Sequence, residues 1–335
     1  MSRGLEMNTK CHRYRAIIPV AGFGTRLFPA TMAIRKEFCP VPDADGLLKP
    51  AIFILLEELD SSGIEEICLV IQREDEAVYR SVLEHPTDPD ILHRLPQAMQ
   101  EWEARFRRIA GHVQFAYQDE MRGLGHAVLQ AASFAGDEPV LVLLGDTLYR
   151  SHTQEPCVAQ LLRAYEQILE APAAMVAVQR VPWQQTRSFG IFAGEWLAGR
   201  SDLMNLTRIC EKPDPRYARD HLLMPAPGHS DDENVPPCCY AAFGAYIIGP
   251  EVFGQLRRMV EDADLAAAHA GVTEAAGAAA HAGVTSPRPE VEFTEALAQV
   301  MQRSGMLAFV PDGTSFDIGN VPAYQRTVAE FAQSR

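Results

Sequence analysis

The sequence predicts an α/β fold, a Rossmann-like, doubly wound, mainly parallel but mixed sheet with an inserted second half. Two observations carry this. The apolar run Ala16 to Val20 suits a central parallel strand and leads straight into a glycine loop, Ala21-Gly22-Phe23-Gly24-Thr25. From Arg15 to about Asp146 the chain then alternates strand-like and helix-like stretches, which is how a parallel sheet with crossover helices is written.

In chain order, the first strand is followed by an amphipathic, helix-length stretch from Leu48 to Ser62, ended by Gly63, and by a strand over Glu66 to Ile71. More helix precedes a strand over His112 to Tyr117; a helix opens near Gly125, and a strand runs from Val140 to Leu144. In such a sheet ligands sit beyond the carboxyl ends of the strands. Gly22, Gly24, Gln118 and Asp146 all fall there. After Asp146 come shorter strands, Met175 to Val181, Phe189 to Phe192, Met204 to Cys210 and Ala241 to Ile248, through which the sheet is expected to continue. Pro225 to Pro237 reads as a loop. The octapeptide Ala266 to Thr273 recurs word for word at Ala278 to Thr285, a low-complexity duplication whose single histidines, His269 and His281, form no ligand cluster.

Composition narrows the function. At 335 residues and 47% hydrophobic the chain can bury a full core. With 44 acidic against 30 basic side chains, net charge −14, a nucleic-acid role would need a basic stripe, and the best candidate, Arg105 to Arg108, has acids close by in a helical stretch. No run approaches ~18 uninterrupted apolar residues, so no membrane span is expected. The basic segment Arg3 to Arg15 lacks the apolar stretch of a secretory signal. The seven cysteines are scattered without a Cys-x-x-Cys pair, which suits reduced thiols and a cytoplasmic location.

The glycine loop carries the chemistry. Gly22 and Gly24 let backbone N–H groups approach a phosphate without a Cβ in the way, and Arg26 and Lys36 bring cations to the same loop of an acidic chain. A P-loop is excluded because no Gly-x-x-x-x-Gly-Lys-Ser/Thr run exists. A dinucleotide fingerprint would need a third glycine where Arg26 or Leu27 stands, and an acid about 20 residues on. The pattern Gly22-x-Gly24-Thr25-Arg26-x-x-Pro29-x-Thr31, with Lys36 five residues further on, instead resembles the sugar-1-phosphate nucleotidylyltransferases, most of all the bacterial UTP:glucose-1-phosphate uridylyltransferase family.

The resemblance covers nearly the whole chain and rests on five separated motifs. In the first, it implies that Arg26 and Lys36 hold the phosphates that leave as pyrophosphate, in a loop formed by Ala21, Gly22, Gly24 and Thr25. The chain departs from the family at Arg35, where a proline usually precedes the lysine, and at Met32, often a lysine. The second is Gln118 with Gly123-Leu124-Gly125-His126-Ala127. An amide offers the donor and acceptor that a uracil edge requires, the glycines let main chain approach the base, and His126 reads as a structural or capping residue. Leu144-Gly145-Asp146 and Phe316-Asp317-Ile318-Gly319-Asn320 are the third and fifth. Read alone, each Asp is equally a turn or helix cap; the resemblance pairs Asp146 and Asp317 as ligands of one Mg2+. In the fourth, Glu211-Lys212-Pro213, it gives the sugar phosphate to Lys212 and sugar hydroxyls to Glu211, with Gly190 leaving room for the ring. Glu290 to Glu295 is a looser match, assigned to the sugar side.

What the resemblance implies is one nucleotidyltransferase domain over 1–335, with a nucleotide-binding half (15–150), a sugar-binding half (151–335) and a low-complexity insert (262–289). The substrates would be UTP and glucose 1-phosphate, and a homo-oligomer is expected. The phosphate nucleophile is already ionised at neutral pH, so no general base is needed; positioning and charge neutralisation suffice. Rival readings are a thymidylyltransferase, a uridylyltransferase for another sugar 1-phosphate, and a catalytically inactive nucleotide-sugar sensor on the same fold.

Overall fold

The computed structural model describes residues 14–168, 170–225, 236–275 and 289–333. Its first strand, β1 (Arg15–Pro19), opens the glycine loop, and the hairpin strands β2 (Pro40–Pro42) and β3 (Leu48–Pro50) follow. The helix expected from Leu48 starts at α1 (Ala51–Ser61), because Pro50 disfavours helical geometry in the residue before it and takes the N-cap position with φ −54° and ψ 139°. Then come β4 (Glu66–Ile71), α2 (Glu76–Leu83), α3 (Pro89–Leu92), α4 (Gln97–Ala110), β5 (Val113–Tyr117), α5 (Gly123–Gln130), α6 (Ala132–Ala135), β6 (Val140–Leu143) and β7 (Thr147–Ser151). The second half contributes α7 (Cys157–Glu166), β8 (Ala174–Val181), β9 (Gly190–Trp196), β10 (Leu203–Glu211), α8 (Pro215–His221), β11 (Cys239–Ile248), α9 (Pro250–Ala275), α10 (Phe293–Ser304), β12 (Leu307–Phe309), β13 (Gly313–Asp317) and α11 (Val321–Glu330).

One nine-stranded sheet runs through both halves in the order β5-β4-β1-β6-β11-β8-β12-β10-β9. Its first four strands are all parallel. Beyond β6 the pairings turn antiparallel except for β12 with β8, so the parallel character belongs to the first half. Successive residues of β1 go to opposite cores: Ala16 and Ile18 pack with Leu55 of α1 and Phe106 of α4, whereas Ile17 packs with Val128 of α5 and Leu256 of α9. Burial on both faces is why these strands read as unbroken apolar runs.

This topology fixes the site. The chain steps from β1 to β4 and β5 on one side, then returns to β6 on the other, so the switch point lies between the carboxyl ends of β1 and β6. The two ends meet closely there, since a Cβ on Gly145 would stand 2.3 Å from Val20 Cγ1. Of the loop expected over Pro225 to Pro237, residues 226–235 lie outside the described residues, as does the second copy of the repeat; the first copy falls within α9.

Candidate active site

The glycine loop closes around Lys36. Gly24 takes a left-handed conformation, φ 65°, open to glycine at little cost, and a Cβ there would meet Thr31 Cγ2 at 3.0 Å and Lys36 Cβ at 3.3 Å. Thr25 and Arg26 follow in a short 3-10 turn, exposed. The Lys36 amine passes beneath Gly22 and donates to Asp146 Oδ2 at 2.8 Å. Burial works against charge on both partners, yet the pairing outweighs it: Lys36 is held above the ordinary lysine range and Asp146 below the usual carboxylate range, the latter helped by Arg26. Arg35 holds φ −68° and ψ 147°, a conformation a proline would also adopt, and its guanidinium pairs with Asp75.

Asp317 is brought to Asp146 by a pairing far apart in sequence. β13 runs antiparallel to β7 with Asp317 opposite Thr147, and Ile318 N donates to the Asp146 carbonyl at 2.8 Å. A Cβ on Gly319 would stand 2.9 Å from Asp317 Oδ1, 3.0 Å from Asp146 Oδ2 and 3.2 Å from an Arg26 guanidinium nitrogen. Two carboxylates and a guanidinium thus converge on one point. The Asp317 carboxylate accepts from Gly319 N and from Asn320 Nδ2 at 3.1 Å. Burial, and then the neighbouring Asp146 charge, hold its pKa above the ordinary value. No group of three His, Cys, Asp or Glu with metal-binding geometry occurs among the described residues. Asp146 and Asp317 are a pair of hard oxygen donors of the kind that holds magnesium together with water and phosphate.

Across β1, Gln118 is buried at the end of β5, its N–H bonded to the Ile71 carbonyl. Its Nε2 lies 3.0 Å from the Gly123 carbonyl and 3.1 Å from His126 Nδ1, while Gln130 reaches the other ring nitrogen at 3.1 Å. Burial, then Arg122, hold the His126 pKa below its ordinary value. The ring thus stands between the Gln118 and Gln130 amides.

The glycines here also serve packing. A Cβ on Gly125 would stand 2.6 Å from the Val291 carbonyl and 2.8 Å from Leu256 Cδ2, and Gly125 N donates to that carbonyl at 2.9 Å. The residue is glycine so that the chain at Val291 can dock, a packing reason that a base-binding motif does not disclose. Gly123, at φ 83°, faces the same segment at 3.1 Å.

On the far side, Gly190 is paired with Glu211 across β9 and β10, and a Cβ on it would stand 3.0 Å from Glu211 Oε2. Thr294 donates to that oxygen at 2.9 Å and Lys212 Nζ lies 2.9 Å from Oε1, so the loosely matched segment Glu290 to Glu295 does reach Glu211. Lys212 is the one non-glycine among the described residues with positive φ, 45°, held by its N–H on the Phe189 carbonyl at 3.0 Å. Tyr246, unmarked in the sequence reading, is buried on β11, where burial, and then the charges of Glu211 and Asp146, hold its pKa above the ordinary value.

A glycine loop and two carboxylates at the switch point of such a sheet define a nucleotidyltransferase, and residues 15–334 match the family model described as Nucleotidyl transferase; the chain belongs to that family. Two curated relatives within it share one activity in their names. UTP–glucose-1-phosphate uridylyltransferase 1 of Streptococcus pyogenes serotype M1 is 30% identical over 325 residues, covering 95% of this chain and 88% of that protein. The UTP–glucose-1-phosphate uridylyltransferase of Pseudomonas aeruginosa is 29% identical over 314 residues, 92% of each chain. Among solved structures, an apo UDP-glucose pyrophosphorylase aligns at TM-score 0.71 and 24% identity, covering 97% of this chain and 100% of that one. A UTP-bound UGPase from Acinetobacter baumannii aligns at TM-score 0.69 and 23% identity, covering 97% and 95%. At that identity the structures speak for the fold.

Proposed function

We infer that this chain transfers a uridylyl group from UTP to glucose 1-phosphate, forming UDP-glucose and pyrophosphate. A phosphate oxygen of the sugar attacks the α-phosphorus of UTP in line; the new P–O bond forms as the α–β bridge breaks, and the bridging electrons leave with pyrophosphate. The observation that carries this is the convergence of Asp146, Asp317 and Arg26 on Gly319, next to Lys36, with Lys212 and Glu211 paired at the end of β10 in the same sheet. The names of the curated relatives favour UTP and glucose 1-phosphate as the substrate pair.

The roles follow from chemistry. Ala21, Gly22, Gly24 and Thr25 present main chain to the triphosphate, and Arg26 and Lys36 neutralise the charge that gathers on the leaving group without having to reorganise. Gln118, with Gly123 and Gly125, faces the uracil. Lys212 receives the sugar phosphate, Glu211 the hydroxyls, and Gly190 leaves room for the ring. Asp146 and Asp317 would hold one Mg2+, which supplies a further fixed positive charge on the phosphate oxygens. Residues 15–150 serve the nucleotide and 151–335 the sugar, as one domain that works as a homo-oligomer. Cys39, Cys68 and Cys157 are buried free thiols whose pKa values burial raises, an unreactive set that suits a cytoplasmic setting.

The test is pyrophosphate release across a panel of nucleoside triphosphates and sugar 1-phosphates. UTP with glucose 1-phosphate is expected to give the highest kcat/KM. A preference for dTTP, or for another sugar, would move the assignment to a sister activity; no turnover with any pair would leave a binding protein.

A further inference from the structure

The segment that follows β4 grips the phosphate loop at three points. Asp75 and Tyr79 stand one helical turn apart at the start of α2, so they share a face, and Gln72 leads into that turn. A helix packing onto a core ordinarily turns apolar side chains inward. Here all three residues carry polar groups, all three are buried, and each meets the loop. The Gln72 amide donates to the Ala21 carbonyl, the Asp75 carboxylate pairs with the Arg35 guanidinium, and the Tyr79 hydroxyl donates to Glu37 Oε1. Arg35 and Glu37 are the two chain neighbours of Lys36. The lysine's backbone is therefore pinned on both sides, and the glycine loop above it is pinned at its start.

The arrangement is expensive for a merely structural contact. Glu37 is 0% exposed and its Oε2 has no hydrogen-bond partner. A buried, half-satisfied carboxylate lowers stability, and an apolar residue against Phe38 and Tyr79 would avoid that cost. Arg35 points the same way: its backbone is free to leave the conformation it holds, and the Asp75 ion pair supplies the restraint a proline ring would.

We propose that Asp75 and Tyr79 are positioning residues for Lys36, fixing its two neighbours so that the amine meets the triphosphate with little freedom left to lose. The proposal rests on the reading that Lys36 faces a triphosphate. It makes α2 the element that sets how stiff the phosphate loop is.

The experiment uses the full chain with Tyr79→Phe, which keeps the ring packed on Phe38 and Phe115 at 5.1 and 6.1 Å, and with Asp75→Asn. Calorimetric binding of Mg2+ with each of four nucleoside triphosphates is measured without turnover, beside steady-state kinetics and Tm. Each variant is expected to bind the preferred triphosphate roughly tenfold more weakly and to lose kcat, while KM for the sugar 1-phosphate stays unchanged. The double variant Tyr79→Phe with Glu37→Leu is expected to bind no more weakly than the worse of its two single variants, since each of them removes the same Tyr79–Glu37 contact. Wild-type triphosphate affinity in both single variants, with only Tm or the active fraction lowered, overturns the proposal, as do fully additive losses in the double variant. If the wild type prefers a triphosphate other than UTP, the functional reading fails while the clamp is still read on the triphosphate that binds; if it binds none, both fall.

Discussion

The two lysines assigned to phosphates are held in opposite ways. Lys36 is largely buried, pinned through both neighbours, and ion-paired at 2.8 Å with a carboxylate inside the site. Lys212 is 57% exposed, lies 2.9 Å from a carboxylate at the rim, and sits on a backbone with φ 45°, a region non-glycine residues occupy at a cost. The side proposed for the nucleotide thus holds its cation in place by burial and pairing. The side proposed for the sugar keeps its cation near solvent on a strained turn. Preorganised charge suits a leaving group whose charge grows in the transition state, and an accessible cation suits a nucleophile that must be delivered.

The largest expected effect tests the built side at its centre. Asp146→Ala and Asp317→Ala are each expected to lower kcat with Mg2+ on the order of a hundredfold or more, as the loss of a fixed charge contact in such a site does. Circular dichroism should show a retained fold. A folded Asp146→Ala protein turning over at near wild-type rate would remove that residue from the metal site and end the comparison.

Next comes the contrast between the lysines themselves. Lys36→Met leaves Asp146 beside Asp317 with Arg26 as its remaining cation and is expected to cost about 3 kcal/mol of stability, read as a drop in the denaturant midpoint. Lys212→Asn removes an exposed ion pair and places at φ 45° a residue that tolerates it, so stability is expected to stay within about 0.5 kcal/mol. Binding of each substrate alone should divide likewise: Lys212→Asn keeps UTP affinity, and Arg26→Ala loses it. Equal stability losses in the two lysine variants, or a reversed split in binding, would show that the halves are not built differently.

How much of this contrast the sequence disclosed varies by residue. β4 was legible residue for residue, because a strand buried on both faces leaves an unbroken apolar run. The start of α1 was not, since the hydrophobic pattern runs on through Leu48 and only Pro50 stops the helix. That Asp146 and Asp317 belong together followed from family resemblance; the β7–β13 pairing behind it is a long-range contact that no local pattern encodes. The ion pair of Lys36 with Asp146 was invisible for the same reason. Nothing in the sequence marks Asp75 or Glu37, and it takes the packed structure to show that both are buried. Gly125 was marked by its motif, but its docking against Val291 is another long-range contact that no local pattern encodes.

Gln118 sharpens the comparison at the base. Gln118→Ala removes a buried amide that holds the Gly123 carbonyl and is expected to weaken use of UTP by about 1 to 3 kcal/mol in kcat/KM, the usual consequence of an unpaired polar edge. Steady-state kinetics with UTP and dTTP check it. Unchanged constants for both would mean that the base is read elsewhere.

The smallest effect separates burial from pairing, by setting Asp146 beside a carboxylate that has burial without a partner cation in contact. Glu58, on α1, turns its Oε1 to the N-terminus of α7, accepting from Val158 N at 2.9 Å, and burial pushes its pKa up to about 7 despite that hydrogen bond and the more distant Arg150. Asp146, which faces Lys36, moves the other way. The sign of the stability effect follows. A carboxyl whose folded pKa exceeds its unfolded value binds its proton more tightly when folded, so its contribution is fully present below the unfolded pKa and is lost as pH rises through about 7. Glu58→Gln keeps the acceptor for Val158 and abolishes the titration. The variant is therefore expected to gain on the wild type by about 1 kcal/mol between pH 5 and pH 8, as measured by urea midpoints across that window. Parallel pH profiles for the two proteins would mean that the Glu58 site is wetter than its packing implies, and that burial alone does not set the charge of carboxylates in this core.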